Sequence, residues 1–149
     1  GVKASVAARP IRQVDMSPAQ SIAGLNVLCV DDEQIILDGM HALLGHWGCH
    51  VHTAQTIEEA WAIFEREPIQ VVIADYQLKQ DETGLDMLAR MMGSVPDIGV
   101  SLLTAEATSD VFERASDRGI RVLRKPADPD DIRQFLYEHV GGQISHAAE

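Results

Sequence analysis

The chain has 149 residues, 46% of them hydrophobic, and a formal net charge of −11 at pH 7. This length suits one domain with a full hydrophobic core and is short for two. The negative charge and the absence of a basic stripe argue against direct binding of nucleic acid or of an anionic membrane surface. No apolar run approaches the roughly 20 residues that span a bilayer. Cys29 and Cys49 lie in or beside apolar runs, which predicts two buried thiols in a reducing cytoplasm.

The first segment of the chain differs from the rest. Residues 1–24 carry two prolines and no sustained hydrophobic period, and we interpret them as a linker or arm from an upstream region. The chain begins with Gly1 and not with methionine, so we expect a piece of a longer protein. Residues 25–141 are the predicted domain, and residues 142–149 a C-terminal tail.

From Asn26 onward, short apolar runs alternate with segments whose apolar residues lie three or four positions apart. The runs predict strands at 26–30, 49–54, 71–75, 99–104 and 120–124. The helical patterns between them are carried by Ile35, Ile36, Met40, Leu43, Leu44 and Trp47, by Ile57, Ala60, Trp61 and Phe64, by Leu85, Leu88 and Met92, by Val111, Phe112 and Ala115, and by Ile132, Phe135, Leu136 and Val140. Five strands alternating with five helices predict an α/β fold with a parallel sheet covered on both faces.

Local signals mark several helix ends. Thr56–Glu59 has the residues of a capping box at the second helix. Asp128 followed by Pro129 predicts a helix N-cap with proline at the first helical position. Gly48 and Gly119 follow helical patterns closely, which is typical of C-terminal caps.

Polar side chains follow the predicted strands at the point where each strand ends. Asp31 and Asp32 follow the first strand, Asp75 ends the third, Thr104 ends the fourth and Lys125 follows the fifth. Because sites in open doubly wound sheets lie at the carboxyl ends of the strands, we expect these five side chains to converge.

Three carboxylates in one partly desolvated site repel each other strongly. A hard divalent cation relieves this repulsion, and Mg²⁺ suits carboxylate, water and phosphate oxygens. One aspartate as nucleophile, a cation, an ammonium and a hydroxyl are together equipped to accept a phosphoryl group.

Four motifs in chain order resemble the receiver domain of two-component response regulators: VLCVDDE, VVIADYQL, LLTAEA and LRKPAD. The likeness covers roughly residues 25–140. It implies a flavodoxin-like (βα)5 three-layer sandwich with a doubly wound five-stranded parallel sheet of order 2-1-3-4-5.

The resemblance also implies roles for the reacting groups. Asp75 would be the phosphorylated residue, Lys125 would contact the phosphate or the acceptor carboxylate, and Thr104 would follow the phosphoryl group on activation. The family often has a bulky aromatic residue three positions before the lysine, and this chain has Val122 there. The aromatic partner for the threonine is therefore missing at that position.

The same resemblance implies a Mg²⁺ site. Asp31 and Asp32 would hold the ion together with Asp75 and the backbone carbonyl of Gln77. The family often has Met-Pro shortly after the acceptor, whereas here the segment DYQLKQDETG gives an extended loop before Gly84.

The segments ADYQL, ETGLD and KPADPDDIRQFL resemble the C-terminal receivers of hybrid sensor histidine kinases, and this is our main interpretation of the parent protein. The alternative is a stand-alone response regulator. The implied partner is a phosphohistidine-bearing kinase domain or a histidine phosphotransfer protein, and a homodimer is left open. The domain itself would be cytoplasmic and make no membrane contact, whether or not another part attaches the parent protein to a membrane.

Simpler interpretations exist for several of these residues. Asp31 or Asp32 would also fit as the N-cap of the first helix. Lys125 precedes Pro126, which favours extended backbone whatever the lysine does. The segment HWGCHVH at 46–52 carries metal-ligand residue types, but it lies at the start of a strand and lacks a clear fourth ligand.

Three rival functions remain at this stage. An aspartate-nucleophile phosphatase would need its Asp-x-Asp pair after the first strand, where this chain has Asp31-Asp32-Glu33. A flavin- or nucleotide-binding module would need a loop rich in Gly, Ser or Thr there, and the acidic loop is its electrostatic opposite. The third rival is a pseudo-receiver that binds partners without being phosphorylated.

Overall fold

The computed structural model describes residues 22–79 and 81–148. Within these ranges, five strands alternate with five helices: β1 (Asn26–Val30), α1 (Gln34–His46), β2 (His50–Ala54), α2 (Ile57–Arg66), β3 (Val71–Asp75), α3 (Gly84–Ser94), β4 (Gly99–Thr104), α4 (Ser109–Asp117), β5 (Arg121–Arg124) and α5 (Pro129–Ala148). The predicted strands therefore agree with the structure to within one residue at each end.

The five strands form one parallel sheet in the order β2-β1-β3-β4-β5. In its central register, Val27 of β1 lies between Val51 of β2 and Val71 of β3. The sheet order 2-1-3-4-5 and the α/β fold class are confirmed. Because the strand order reverses beside β1, a crevice opens at the carboxyl ends of β1 and β3.

The sheet separates two hydrophobic cores. Alternate side chains of each strand point to opposite faces, so that Leu28 packs in one core and Cys29 in the other. Helices α2, α3 and α4 cover the first face, and α1 and α5 cover the second. Every residue of β3 is buried, as expected for a strand with helices on both sides. This arrangement is the predicted three-layer sandwich.

Side-chain caps fix the starts of two helices as predicted. The Thr56 hydroxyl accepts a hydrogen bond from the Glu59 N–H at 3.1 Å, while the Glu59 carboxylate accepts from the Gln55 N–H at 2.8 Å. At α5, the Asp128 carboxylate accepts from the Asp130 N–H at 2.9 Å. These bonds satisfy backbone donors that the first helical turn leaves without partners.

Helix α1 ends as predicted but presents a different face at its start. Gly48, just after the helix, has a φ of +88°, the left-handed conformation that favours glycine in C-terminal caps. Ile35, which we assigned to the buried face, is 77% exposed, and Leu37 is buried in its place. Residues two positions apart in the sequence lie about 200° apart around an α-helix. Leu37 and Ile35 therefore point in nearly opposite directions.

The described fold extends beyond both ends of the predicted domain. Ile22, within the residues assigned to the arm, is fully buried in the core on the α1–α5 face, and Gly24 donates a backbone hydrogen bond to Gly48 at 2.8 Å. Helix α5 runs to Ala148, through most of the residues assigned to the tail. Residues 1–21 of the predicted arm lie outside the described residues. Among the helices described here, none is both long enough and apolar enough to pass through a bilayer.

Ser101 in β4 is completely buried, and within the described part of the chain its hydroxyl oxygen has no hydrogen-bond partner. A buried hydroxyl without a partner loses its hydration and gains nothing in return. We expect Ser101→Ala to raise the free energy of unfolding by about 1 kcal/mol in urea denaturation. The control is Thr108→Ala. The Thr108 hydroxyl caps α4 by accepting from the Val111 N–H at 3.2 Å, so its removal should lower the free energy of unfolding by about 1 kcal/mol. An unchanged or lower stability of the Ser101 variant would contradict this prediction.

Candidate functional site

Three carboxylates meet at the carboxyl edge of the sheet. Asp31 and Asp32 follow β1, and Asp75 is the last residue of β3, the strand beside it. One carboxylate oxygen from each of the three lies within 4.8 Å of the other two. Asp31 and Asp75 are buried, and Asp32 is half-buried. The predicted convergence of these acids is therefore present.

The Lys125 side chain reaches the same group of acids from the end of β5. Its Nζ lies 2.9 Å from Asp31 Oδ2 and 3.3 Å from Asp75 Oδ2. The backbone holds the lysine in place, because its N–H donates to the Thr104 carbonyl at 2.9 Å. The Lys125–Pro126 peptide bond is cis. One ammonium thus contacts two buried carboxylates.

The electrostatics of the site favour a further cation. Burial raises the pKa of the Asp75 carboxyl group above its ordinary value, the Asp31 carboxylate raises it further, and the Lys125 ammonium and the Gln77 N–H offset only part of this. Burial by itself would lower the pKa of the Lys125 ammonium, but its hydrogen bonds and ion pairs with Asp31 and Asp75 outweigh burial, and that pKa is raised. Lys125 therefore stays charged at neutral pH, and the Asp75 carboxylate remains incompletely compensated.

The donor set fits Mg²⁺. Three carboxylate oxygens that lie this close together are hard ligands of the kind that a small divalent cation prefers. The Gln77 N–H donates to Asp75 Oδ1 at 3.3 Å, so the Asp75 carboxylate is hydrogen-bonded to the backbone of the loop that follows β3. The use of the Gln77 carbonyl as a ligand stays a prediction.

The turn after β1 orients the acidic pair without using it as a helix cap. The Asp31 carboxylate accepts from the Glu33 N–H at 2.9 Å, before the helix begins. The N-cap of α1 is Glu33, and its side chain makes no capping hydrogen bond. The geometry of Asp31 and Asp32 therefore does not fit the N-cap interpretation, and Asp32 keeps its carboxylate turned toward the site.

Thr104 lies at the end of β4 and is buried. Its hydroxyl accepts a hydrogen bond from the Glu106 N–H at 3.2 Å. The predicted role of this hydroxyl toward a phosphoryl group stays a prediction. Val122 pairs with Leu102 in the sheet and is half-buried, and it provides no aromatic ring beside the threonine.

The structure adds residues that the sequence analysis did not assign. The Lys79 Nζ lies 3.3 Å from Asp32 Oδ2, and the Gln55 amide donates to the Asp32 carbonyl at 3.2 Å. The Tyr76 hydroxyl accepts a hydrogen bond from the Arg114 guanidinium of α4 at 3.2 Å. In the sequence, Lys79 and Tyr76 stand out only as the one lysine and the one tyrosine of the loop that follows Asp75.

The alternative metal segment at 46–52 does not assemble ligands. Cys49 is buried and donates its thiol hydrogen to the Ile22 carbonyl, with the sulfur at 3.6 Å, and His50 is exposed. Within residues 22–79 and 81–141, the cluster of three or more potential ligand side chains is that of the three aspartates at the sheet edge. The carboxyl edge is therefore the candidate metal site.

Comparison with known proteins gives consistent matches. The family model of the response regulator receiver domain matches residues 27–137. The alginate biosynthesis transcriptional regulatory protein AlgB of Pseudomonas aeruginosa is 34% identical over 108 residues, which are 72% of this chain and 24% of AlgB. The response regulator protein PilR of the same organism is 29% identical over 110 residues, which are 73% of this chain and 24% of PilR.

Solved structures agree with the fold. A CheY-like response regulator receiver domain protein from Methanospirillum hungatei has a TM-score of 0.76 and 25% identity, with 83% of this chain and 99% of that chain covered. A signal receiver domain of an HD domain-containing protein from Pseudomonas fluorescens has a TM-score of 0.76 and 26% identity, with 82% and 98% covered.

This chain spans about a quarter of the length of AlgB and of PilR. The family model, by contrast, takes in most of the chain, from β1 into α5. Sheet order, acidic edge and family model agree, and the chain belongs to the response regulator receiver domain family.

Proposed function

We propose that this domain accepts a phosphoryl group from phosphohistidine onto Asp75. The observation that carries the proposal is the site itself, in which three carboxylates lie within 4.8 Å of one another and the Lys125 ammonium lies 3.3 Å from Asp75. The ion is Mg²⁺, held by Asp31, Asp32, Asp75 and the carbonyl of Gln77.

The reaction is an in-line displacement at phosphorus. A carboxylate oxygen of Asp75 attacks, a phosphorus–oxygen bond forms, the phosphorus–nitrogen bond to the donor histidine breaks, and its electron pair goes to the imidazole nitrogen. Bound Mg²⁺ supplies charge neutralisation for the phosphoryl oxygens. The Lys125 ammonium already pairs with Asp75 and neutralises one further oxygen as the group arrives. Water then attacks the acyl phosphate, the bond between phosphorus and the Asp75 oxygen breaks, and inorganic phosphate leaves the free Asp75 carboxylate behind.

Thr104 is the residue that senses the transferred group. Its hydroxyl now accepts from Glu106 in the turn after β4, and it exchanges this bond for one in which it donates to a phosphoryl oxygen. The turn then shifts and changes the population of surface arrangements around α4.

The relatives favour a response regulator over a hybrid histidine kinase as the parent protein. AlgB is a transcriptional regulatory protein and PilR a response regulator protein, each about four times as long as the matching segment. We therefore prefer a response regulator as the parent protein to the hybrid histidine kinase that the sequence patterns suggested. Its phosphodonor is a kinase domain or a histidine phosphotransfer protein. We place it in the cytoplasm, where the free thiols of Cys29 and Cys49 stay reduced.

The test is phosphorylation by a small phosphodonor. With phosphoramidate or acetyl phosphate and Mg²⁺, we expect the purified chain to gain the mass of one phosphoryl group, and Asp75→Asn to abolish this gain. Asp110→Asn, which changes an exposed carboxylate of α4, is the control and should leave the adduct unchanged. An adduct that persists in the Asp75 variant would show a different acceptor. A wild-type chain that takes up no phosphoryl group would favour the pseudo-receiver.

A further inference from the structure

We infer that Lys79 is a built-in counter-ion of Asp32 that competes with the divalent cation and so sets the metal affinity of the site. The inference rests on the proposed Mg²⁺ site and concerns a residue that has no assigned role there. Lys79 is a positioning residue in this proposal, because it acts through the metal ligand Asp32 and not on the transferred group.

Each of the three acids has an ammonium partner. Lys125 pairs with Asp31 and Asp75, and Lys79 pairs with Asp32, with 3.3 Å between its Nζ and Asp32 Oδ2. Two ammonium groups and three carboxylates leave the site with a net charge of −1. The second ammonium therefore relieves much of the repulsion that would otherwise require a bound cation.

The backbone at Lys79 adopts a conformation that is unusual for a lysine. Its φ is +54°, and among the described residues Lys79 is the one non-glycine residue with a positive φ. This left-handed conformation favours glycine or asparagine and is unfavourable for lysine. The sequence thus keeps a long cationic side chain at a position where the backbone prefers a smaller residue, and that side chain reaches Asp32.

The ion pair has the properties of a reversible competitor. The Lys79 side chain is 81% exposed and that of Asp32 is 17% exposed. An exposed ammonium regains water easily when it leaves, so this pair is weak and a divalent cation displaces it. The displaced ammonium remains tethered four residues from Asp75, and it still repels a bound cation. Lys79 therefore lowers the affinity for Mg²⁺ without closing the site.

The ion pair between Lys79 and Asp32 is much more exposed than the ion pairs of Lys125. The Lys125 side chain is 17% exposed and contacts two buried acids, so it cannot leave the site at low cost. Lys79 is held on one side only, by the half-buried acid. The two lysines consequently have separate effects: Lys125 stays in place, and Lys79 is exchanged for the metal.

The test measures Mg²⁺ binding directly. Isothermal titration and amide chemical shifts of Asp32 and Gln77 give the dissociation constant for the wild-type chain, Lys79→Met and Lys79→Arg. We expect Lys79→Met to bind Mg²⁺ about threefold to tenfold more tightly, because it loses the ion pair and the repulsion together. Lys79→Arg keeps the charge and the same unfavourable backbone, and should bind as the wild type does. At high salt the difference between Lys79→Met and the wild type should shrink.

Arg66→Met is the matched control for net charge. Arg66 lies at the end of α2 remote from the carboxyl edge and pairs with Glu67 at 3.2 Å. The Arg66→Met variant should leave the dissociation constant for Mg²⁺ unchanged. Equal binding by Lys79→Met and the wild type, or equal tightening by Arg66→Met, would overturn the inference. A wild-type chain that binds no Mg²⁺ would instead contradict the proposed metal site, so the two failures are distinguishable.

Discussion

Gly84→Ala is expected to destabilise the domain by about 3 kcal/mol or more and to remove phosphorylation of Asp75. A Cβ on Gly84 would lie 2.0 Å from the carbonyl oxygen of Asp75 and 2.9 Å from its carbonyl carbon. Both are backbone atoms of the acceptor residue and cannot rotate away, so the start of α3 or the end of β3 has to move. Urea denaturation and the mass of the phosphorylated chain measure the two effects.

The close approach is needed because α3 begins directly against the acceptor strand. The Gly84 N–H donates to the Tyr76 carbonyl at 3.0 Å, which closes the loop between β3 and α3. Gly93→Ala is the matched control in the same helix, since nothing lies within 4 Å of a Cβ built there. It should raise stability by about 0.5–1 kcal/mol through helix propensity. Equal stability of Gly84→Ala and the wild type would mean that the loop and the helix separate easily.

Lys125→Met is expected to slow phosphoryl transfer to Asp75 by about 100-fold or more, the usual loss when a preorganised charge is removed from a transition state. Without the ammonium at 2.9 Å from Asp31 and 3.3 Å from Asp75, two buried carboxylates lose their common partner. In the absence of divalent cations, we therefore also expect the free energy of unfolding to fall by about 3 kcal/mol. The rate of adduct formation with phosphoramidate and urea denaturation without metal are the measurements.

The matched variant for this test is Lys125→Arg, which keeps the positive charge but changes the geometry of the donor. It should retain more of the stability than of the rate, because a guanidinium is held as a fork and not as a point charge. Addition of Mg²⁺ should restore part of the stability that the methionine variant loses. A methionine variant with the wild-type rate would show that Lys125 has a purely structural role.

The sheet and the acidic edge were predictable from short-range signals. Apolar runs fix the strands, and the polar residues that follow them must meet at one edge because all strands are parallel. Asp31, Asp32, Asp75 and Lys125 could therefore be brought together from the sequence. Strand order, which the family resemblance supplied, brings these residues to one edge, but the ion-pair distances of 2.9 Å and 3.3 Å depend on side-chain conformations that it does not set.

Other features depend on information that no local pattern contains. The exposed position of Ile35 depends on the angle at which α1 sits on the sheet, and two adjacent isoleucines do not define that angle. Lys79 adopts a backbone conformation that its own residue type disfavours, so propensity points the wrong way. The continuation of α5 to Ala148 passes two glycines at 141 and 142, which indicate a helix end by themselves.

The hydrogen bond between Tyr76 and Arg114 connects the loop after β3 to α4. The phenol is rigid, and its backbone is joined to Asp75 by one peptide unit, while the guanidinium belongs to the helix on the far side of β4. This hydrogen bond links the loop after β3 directly to α4, so a displacement of that loop strains or releases the bond. Communication with the α4 surface in this chain has a physical connection that does not pass through position 122.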